Sequence, residues 1–245
     1  MRSGMQLYCV NKLLEKDFEA GMRLAARAGF DGLEVYHLYE GIKAIEYRKA
    51  INAAGAVCCG THNNLTRLRT SLDEVMEYNY ALGSDTVISH WLNPDERDSL
   101  DKMLAFCEYL NEMGVILRRN GFKLLYHNHD FEFGGSFNGK TLMEIILENT
   151  DPLLVGIQLH VAQLPPFGID PVEYIYKLGQ RLKNLHVDLV DFSGKPAVEL
   201  CEKAMAAGKE LGVEWAVYEH VYPIDATGET LMEDARIIKR MACAL

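Results

Sequence analysis

The residues of this chain with chemistry to offer are its histidines and a few acids, and both are unevenly placed. His37, His62, His90, His127, His129, His160, His186 and His220 each stand at or just past the end of a short apolar run, and none of the 8 falls in a stretch of helical period. Glu34, Glu132, Asp188 and Glu219 occupy the same kind of position. Neutral imidazole offers a nitrogen lone pair and carboxylate an oxygen, a mixed set that suits Mn²⁺, Co²⁺, Fe²⁺ or Zn²⁺. A carboxylate beside such an ion can also take or return a proton. Thiols accompany these residues only at Cys58-Cys59, beneath His62, so a cysteine-rich zinc site is not expected. A lone histidine near a strand end is ordinarily a hydrogen-bonded structural residue. The expectation of a site therefore rests on several residues from different strands converging, with His160, His186 and Glu219 foremost. His37 on its loop, Asp95-Glu96 and Asp191 read as solvated groups.

Convergence needs a scaffold, and the chain supplies one by alternation. Continuous apolar or β-branched runs occur at Met5–Val10, Gly32–Tyr36, Ala56–Thr61, Thr86–Ser89, Lys123–His127, Val155–Leu159, Leu182–Val187 and Trp215–Glu219. Unbroken apolar runs of this length suit parallel strands covered on both faces. Between them lie amphipathic segments: one around Phe18, Met22, Leu24, Ala25 and Ala28, another around Leu72, Val75, Met76 and Leu82. Further ones run over Ser99–Asn120, Thr141–Asn149, Pro171–Leu178, Ala197–Leu211 and Thr230–Ala244. Gly29, Gly55, Gly83, Gly121 and Gly212 each follow a helical segment and precede a strand, where a left-handed C-terminal cap favours glycine. Asp170-Pro171 reads as an N-cap followed by proline in the first turn. The expectation is an α/β protein, a single (β/α)8 TIM barrel spanning residues 1–245. Such barrels need about 250 residues and carry their sites at the C-terminal strand ends. A doubly wound sheet is disfavoured, since neither GxGxxG nor GxxxxGK[ST] is present.

Composition narrows the partners. A net charge of −10, from 25 Lys+Arg against 35 Asp+Glu, repels phosphate backbones, so small neutral or weakly charged ligands are expected rather than nucleic acid. The 6 cysteines sit mostly in apolar patterns, where they behave as small hydrophobes. No apolar stretch approaches membrane-spanning length, and the start of the chain lacks a signal-like apolar region. A reduced, cytoplasmic setting is expected. Tyr78, Tyr80 and Tyr109 on helix surfaces leave room for a homo-oligomer.

The residues also resemble a known family. The stretch Leu125-Tyr126-His127-Asn128-His129-Asp130-Phe131-Glu132-Phe133 looks like the strand-five signature of the sugar phosphate isomerase/epimerases, within the xylose isomerase-like barrels. Thr150–Gly156 resembles that family's lead into strand six, Asn184-Leu185-His186 its strand-seven segment, and Trp215–Glu219 its strand-eight segment. The resemblance implies one divalent ion held by residues of strands five to eight: Glu132, His160, His186 and Glu219, with His127 at the strand-five tip as the alternative to Glu132. His160 stands where most relatives place aspartate, which removes a negative charge and favours softer ions. Asp188 follows His186 where many relatives carry a lysine nearby, so phosphate recognition by that lysine is not carried over.

The implied activity is a metal-dependent sugar or sugar phosphate isomerase or epimerase, working through an enediolate by carboxylate proton transfer. Glu219, with Glu132 or a strand-five histidine such as His127, would move the proton. Glu34, His62, His90, His129 and Asp188 would bind substrate, with Trp91 and Phe167 as apolar walls. The same parts would also serve a lyase or dehydratase acting on a keto-sugar, keto-glycoside or inosose. A barrel that binds sugar without turning it over is the third reading, and the AP endonuclease chemistry of some relatives fits the −10 charge poorly.

Overall fold

In the computed structural model, which describes residues 1–36, 42–220 and 228–244, eight parallel strands close into a barrel. They are β1 (Arg2–Gln6), β2 (Gly32–Val35), β3 (Val57–Asn63), β4 (Thr86–Ser89), β5 (Lys123–His127), β6 (Val155–His160), β7 (Leu182–Val187) and β8 (Trp215–Tyr218). Each strand pairs with its sequence neighbours, and β1 closes the ring against β8. The fold is the expected (β/α)8 TIM barrel. A two-stranded antiparallel hairpin, Ser136–Phe137 with Lys140–Thr141, is added between β5 and β6.

Local chemistry accounts for the helices that separate the strands. Asp17, Ser99, Thr141 and Asp170 each accept a backbone N–H of a first helical turn. Gly29 and Gly83 end their helices with φ of 67° and 80°, a conformation in which a Cβ would be strained. Helices Ala44–Ala53, Leu65–Thr70 and Phe131–Gly134 were not visible in the apolar periodicity, the last two being too short to show a period.

The first strand departs from expectation. Met5–Val10 reads as one apolar run, yet pairing occurs over Arg2–Gln6 and Leu7–Val10 is a 3₁₀ turn. The Gln6 side chain accepts the Tyr8 N–H and turns the chain there, and Gly4, Met5 and Gln6 pair with Gly32, Leu33 and Glu34.

Inside the barrel, glycines make room for large side chains. A Cβ at Gly32 would lie 2.5 Å from the Trp215 ring, which fills the lower interior with Cys59 and Val217. A Cβ at Gly60 would lie 2.8 Å from Ile88 Cδ1 and 3.2 Å from Glu34 Oε2. On the outer surface, Arg67 lies over the Tyr78 ring and Arg69 over Tyr109, while Tyr80 is exposed. Among the described residues, no helix is long and apolar enough to cross a membrane. His37 lies outside the described residues.

Candidate metal centre

Strand side chains alternate between the two faces of a sheet, so every second residue near a strand end points into the barrel. By this alternation Gln6, Glu34, His62, His127, Gln158, His160 and His186 gather at the C-terminal mouth from six strands. Glu219, one residue past β8, is held in register by its N–H to the Val187 carbonyl at 3.1 Å.

Four of these residues converge. One donor atom each from His127, His160, His186 and Glu219 lies within 4.8 Å of all the others. Glu219 Oε2 is 2.7 Å from His186 Nδ1, 3.4 Å from His160 Nδ1 and 3.8 Å from His127 Nε2. His160 Nδ1, the atom that faces Glu219, also lies 2.9 Å from Gln163 Nε2, and His160 Nε2 is buried without a hydrogen-bond partner among the described residues. Three imidazoles and one carboxylate form a nitrogen-rich set suited to a first-row divalent ion, so the residues fit the metal that the sequence implied.

A second acid lies beneath. Glu34 is fully buried, with Oε1 at 2.8 Å from both His186 Nε2 and His62 Nε2. Burial alone would raise its carboxyl pKa, but the facing His186 and His62 imidazoles outweigh that and hold it well below the usual range. Burial likewise opposes charge on His186, yet Glu34 and Glu219 lift its pKa to about 9. For Glu219 the same contest, burial against His186, ends at about 2. The other imidazoles are pushed toward neutrality, chiefly by burial: His160 and His129 to about 4, His90 to about 3, and His127 well below the ordinary value. Neutral imidazole is the form that binds a metal or donates a single N–H.

Above the cluster opens a cavity of about 540 Å³. His90, Trp91, His127, His129, His160 and Glu219 are among the residues that line it. The Nδ1 atoms of His90 and His129 are buried without a partner among the described residues. Tyr8, Tyr36, Asn64, Gln163 and Phe192 also line the cavity and were not foreseen. Tyr36 could have been found, since it lies two residues past Glu34 and shares its face. Gln158 carries the same signal relative to His160. Phe192 follows β7 in a loop, where no periodicity marks it.

Several expected positions need correction. Glu132 is not in the cluster: its carboxylate accepts the Tyr126 hydroxyl and the His129 N–H, the latter at 2.7 Å. Tyr126 neighbours His127 on β5 and so points out of the barrel against Phe106, which places Glu132 on the outer side with it. The strand-five position in the cluster belongs to His127. Burial raises the Glu132 pKa to about 7. Glu34 and His62 lie below the cavity lining rather than in it, and Asp188 is buried against His220 Nδ1 at 3.0 Å. Phe167 packs on Phe133, away from the cavity.

No family model matches the chain. A crystal structure of a sugar phosphate isomerase/epimerase from Parabacteroides distasonis superposes with a TM-score of 0.77 at 23% identity, covering 98% of this chain and 94% of that one. At this identity the likeness shows the (β/α)8 barrel fold, which the chain also shares with a xylose isomerase-like TIM barrel/4-hydroxyphenylpyruvate dioxygenase fusion protein, at a TM-score of 0.68, 14% identity and coverage of 98% of this chain and 42% of that one. Another barrel of this fold, a crystal structure of the IOLI protein with a binding zinc atom, superposes with a TM-score of 0.72 at 14% identity, covering 100% of this chain and 97% of that one. In sequence, an inosose dehydratase of Halalkalibacterium halodurans is 31% identical over 83 residues, 34% of this chain and 26% of that protein. The matched stretch is thus about a quarter of that relative's length. At these identities the likeness is one of architecture; the reaction has to be argued from the site.

Proposed function

We propose that this barrel is a divalent-metal-dependent isomerase or epimerase, which moves a proton at a carbon next to the carbonyl of a small carbohydrate. The observation that carries the reading is Glu219. Among the described residues it is the one carboxylate lining the cavity, and it is held ionised beside three imidazoles. Its imidazole contacts fall on Oε2, which leaves Oε1 to take a proton from carbon. His127, His160, His186 and Glu219 would hold the ion, which supplies Lewis-acid charge beside the reacting carbonyl. His90 and His129, kept neutral and with unpartnered ring nitrogens, are placed to hydrogen-bond sugar hydroxyls. Trp91, Tyr8 and Phe192 offer aromatic faces to the apolar side of a sugar ring. The likeness to a sugar phosphate isomerase/epimerase and to a zinc-binding barrel supports the same reading.

A dehydratase or lyase acting on a keto-sugar, keto-glycoside or inosose is the second reading, and one observation favours it. With Glu132 outside the barrel, the cavity offers one carboxylate and several imidazoles. Proton return by a second carboxylate then has no candidate among the described residues. An imidazole acting as acid on a leaving oxygen does. The partial match to an inosose dehydratase points the same way.

Metal analysis of protein purified without chelator, followed by turnover of ketoses and inososes in deuterated water, tests both readings. Isomerisation or epimerisation places deuterium on carbon and conserves the composition of the substrate, whereas elimination removes water. Glu219→Gln is expected to lower turnover by about 10²–10⁴-fold, the usual contribution of a positioned base. A variant with full turnover removes Glu219 from the role.

A further inference from the structure

The acid beneath the cluster, Glu34, makes no contact with the cavity, and its surroundings assign it a different task. The hydrogen bonds around it run in one direction only. A carboxylate solely accepts, so the 2.8 Å contact places a proton on His186 Nε2. Glu34 Oε2 accepts from Gln158 Nε2 at 2.7 Å, so the Gln158 amide is oriented with Oε1 toward the imidazoles. That oxygen lies 2.9 Å from His127 Nδ1 and 3.1 Å from His62 Nε2, which places a proton on each. His62 Nδ1 then accepts from Gln6 Nε2 at 3.3 Å, and Gln6 Oε1 accepts the Tyr8 N–H at 2.8 Å. From Tyr8 to Glu34 no donor faces a donor.

The tautomers that result are those a metal requires. With Nε2 of His186 committed to Glu34 and Nδ1 of His127 to Gln158, the atoms left for an ion are His186 Nδ1 and His127 Nε2, which lie 2.7 and 3.8 Å from Glu219 Oε2. In the ion-free cluster His186 Nδ1 donates its own proton to that carboxylate, and a bound ion would take that proton's place. We propose that Glu34, with Gln158 as its extension, is the positioning residue of the metal centre: it fixes the tautomers of His186 and His127 so that both lone pairs face the ion. This rests on the metal reading above. Glu34, His62 and His186 also lie close enough together to suggest a second ion. The network speaks against that, because Glu34 and Gln158 already give every one of their polar atoms a hydrogen bond there. The buried ring nitrogens without a partner among the described residues are on His90, His129 and His160, none of which belongs to this lower group.

Glu34→Gln is the discriminating change. The new amide must turn its NH₂ either toward His186 and His62 or toward Gln158 Nε2, and in both cases a donor meets a donor. The conflict is relieved by loss of the His186 Nε2 proton, which leaves the remaining proton on Nδ1, facing Glu219, and denies that lone pair to the ion. Loss of such an outer carboxylate typically costs 10–100-fold in metal affinity. The test measures Zn²⁺ and Co²⁺ affinity of the full chain by competition with a chromophoric chelator, together with the visible Co²⁺ spectrum and imidazole nitrogen NMR. Glu34→Gln should bind 10–100-fold more weakly, with an altered Co²⁺ spectrum and a changed His186 tautomer. Glu34→Asp, which keeps the carboxylate and serves if the amide variant fails to fold, should lie between it and the wild type. Glu132→Gln, equally buried but outside the network, should bind as the wild type does. Unchanged affinity and tautomer in Glu34→Gln overturn the assignment. So does a stoichiometry of two ions per chain with the second lost in that variant, which would make Glu34 a ligand. A wild type that takes up neither ion overturns the metal reading itself, and this assignment with it.

Discussion

At the scale of the residue, the site depends on which buried groups carry charge. His160 brings a third imidazole to a cluster in which an aspartate would bring a second negative charge. His160→Asp is therefore expected to raise affinity for Mn²⁺ relative to Zn²⁺, because carboxylate oxygen suits the harder ion. Competition between the two ions in wild type and variant checks it. Glu132 offers a separate test, since it lies outside the cluster. Its pKa is raised to about 7 from an ordinary 4.5, so the folded protein holds its proton more tightly than the unfolded chain. The stability this gives is fully present below pH 4.5 and is lost as pH rises to about 7, a loss of order 3 kcal/mol. Denaturant titrations of wild type and Glu132→Gln should differ by that slope between pH 4.5 and 7, and parallel curves would exclude it.

At the scale of the element, the strand ends set the geometry, and the interior of β3 sets the space for Glu34. Gly60 pairs with Glu34 across β2 and β3, where the register shifts. A methyl group at Gly60 would press on Ile88 and on the Glu34 carboxylate. Gly60→Ala is expected to destabilise the fold by about 1–3 kcal/mol, as overpacking does. It should also weaken Zn²⁺ binding by more than an overpacking change at Gly32, where a methyl group would press on Trp215 and Cys59 rather than on Glu34. Thermal unfolding with and without Zn²⁺ separates the two effects. β1 shows why element boundaries were harder to read than element types. Its apolar run continues through Leu7–Val10, and only the Gln6 side chain, accepting the Tyr8 N–H, ends the strand.

At the scale of the molecule, the cluster ties β5, β6, β7 and the end of β8 together, so ion binding should stabilise the whole barrel. At an ion concentration 100 times the dissociation constant the gain is about 2.7 kcal/mol. For a chain of this length that is roughly 5–10 °C in Tm. Calorimetry with Zn²⁺ and after chelation measures it, and a Tm that ignores the ion counts against the centre.

Alternating apolar runs and amphipathic segments determined the barrel from the sequence alone, because strand and helix periodicities are local properties of the chain. They also determined that His160, His186 and Glu219 stand at the barrel mouth, since strand ends of this fold share one rim. Tertiary structure decided which of the rim residues meet. Glu132 and His127 are five residues apart and equally plausible as ligands on paper. The outward turn of Tyr126 carries Glu132 to the helix side and leaves His127 inside. Glu34 reads as a substrate contact until its depth in the barrel and its bonds to His62, Gln158 and His186 are known. Those partners are 28, 124 and 152 residues away along the chain, and pairing at such separations is fixed by strand register and barrel closure, which no local pattern encodes.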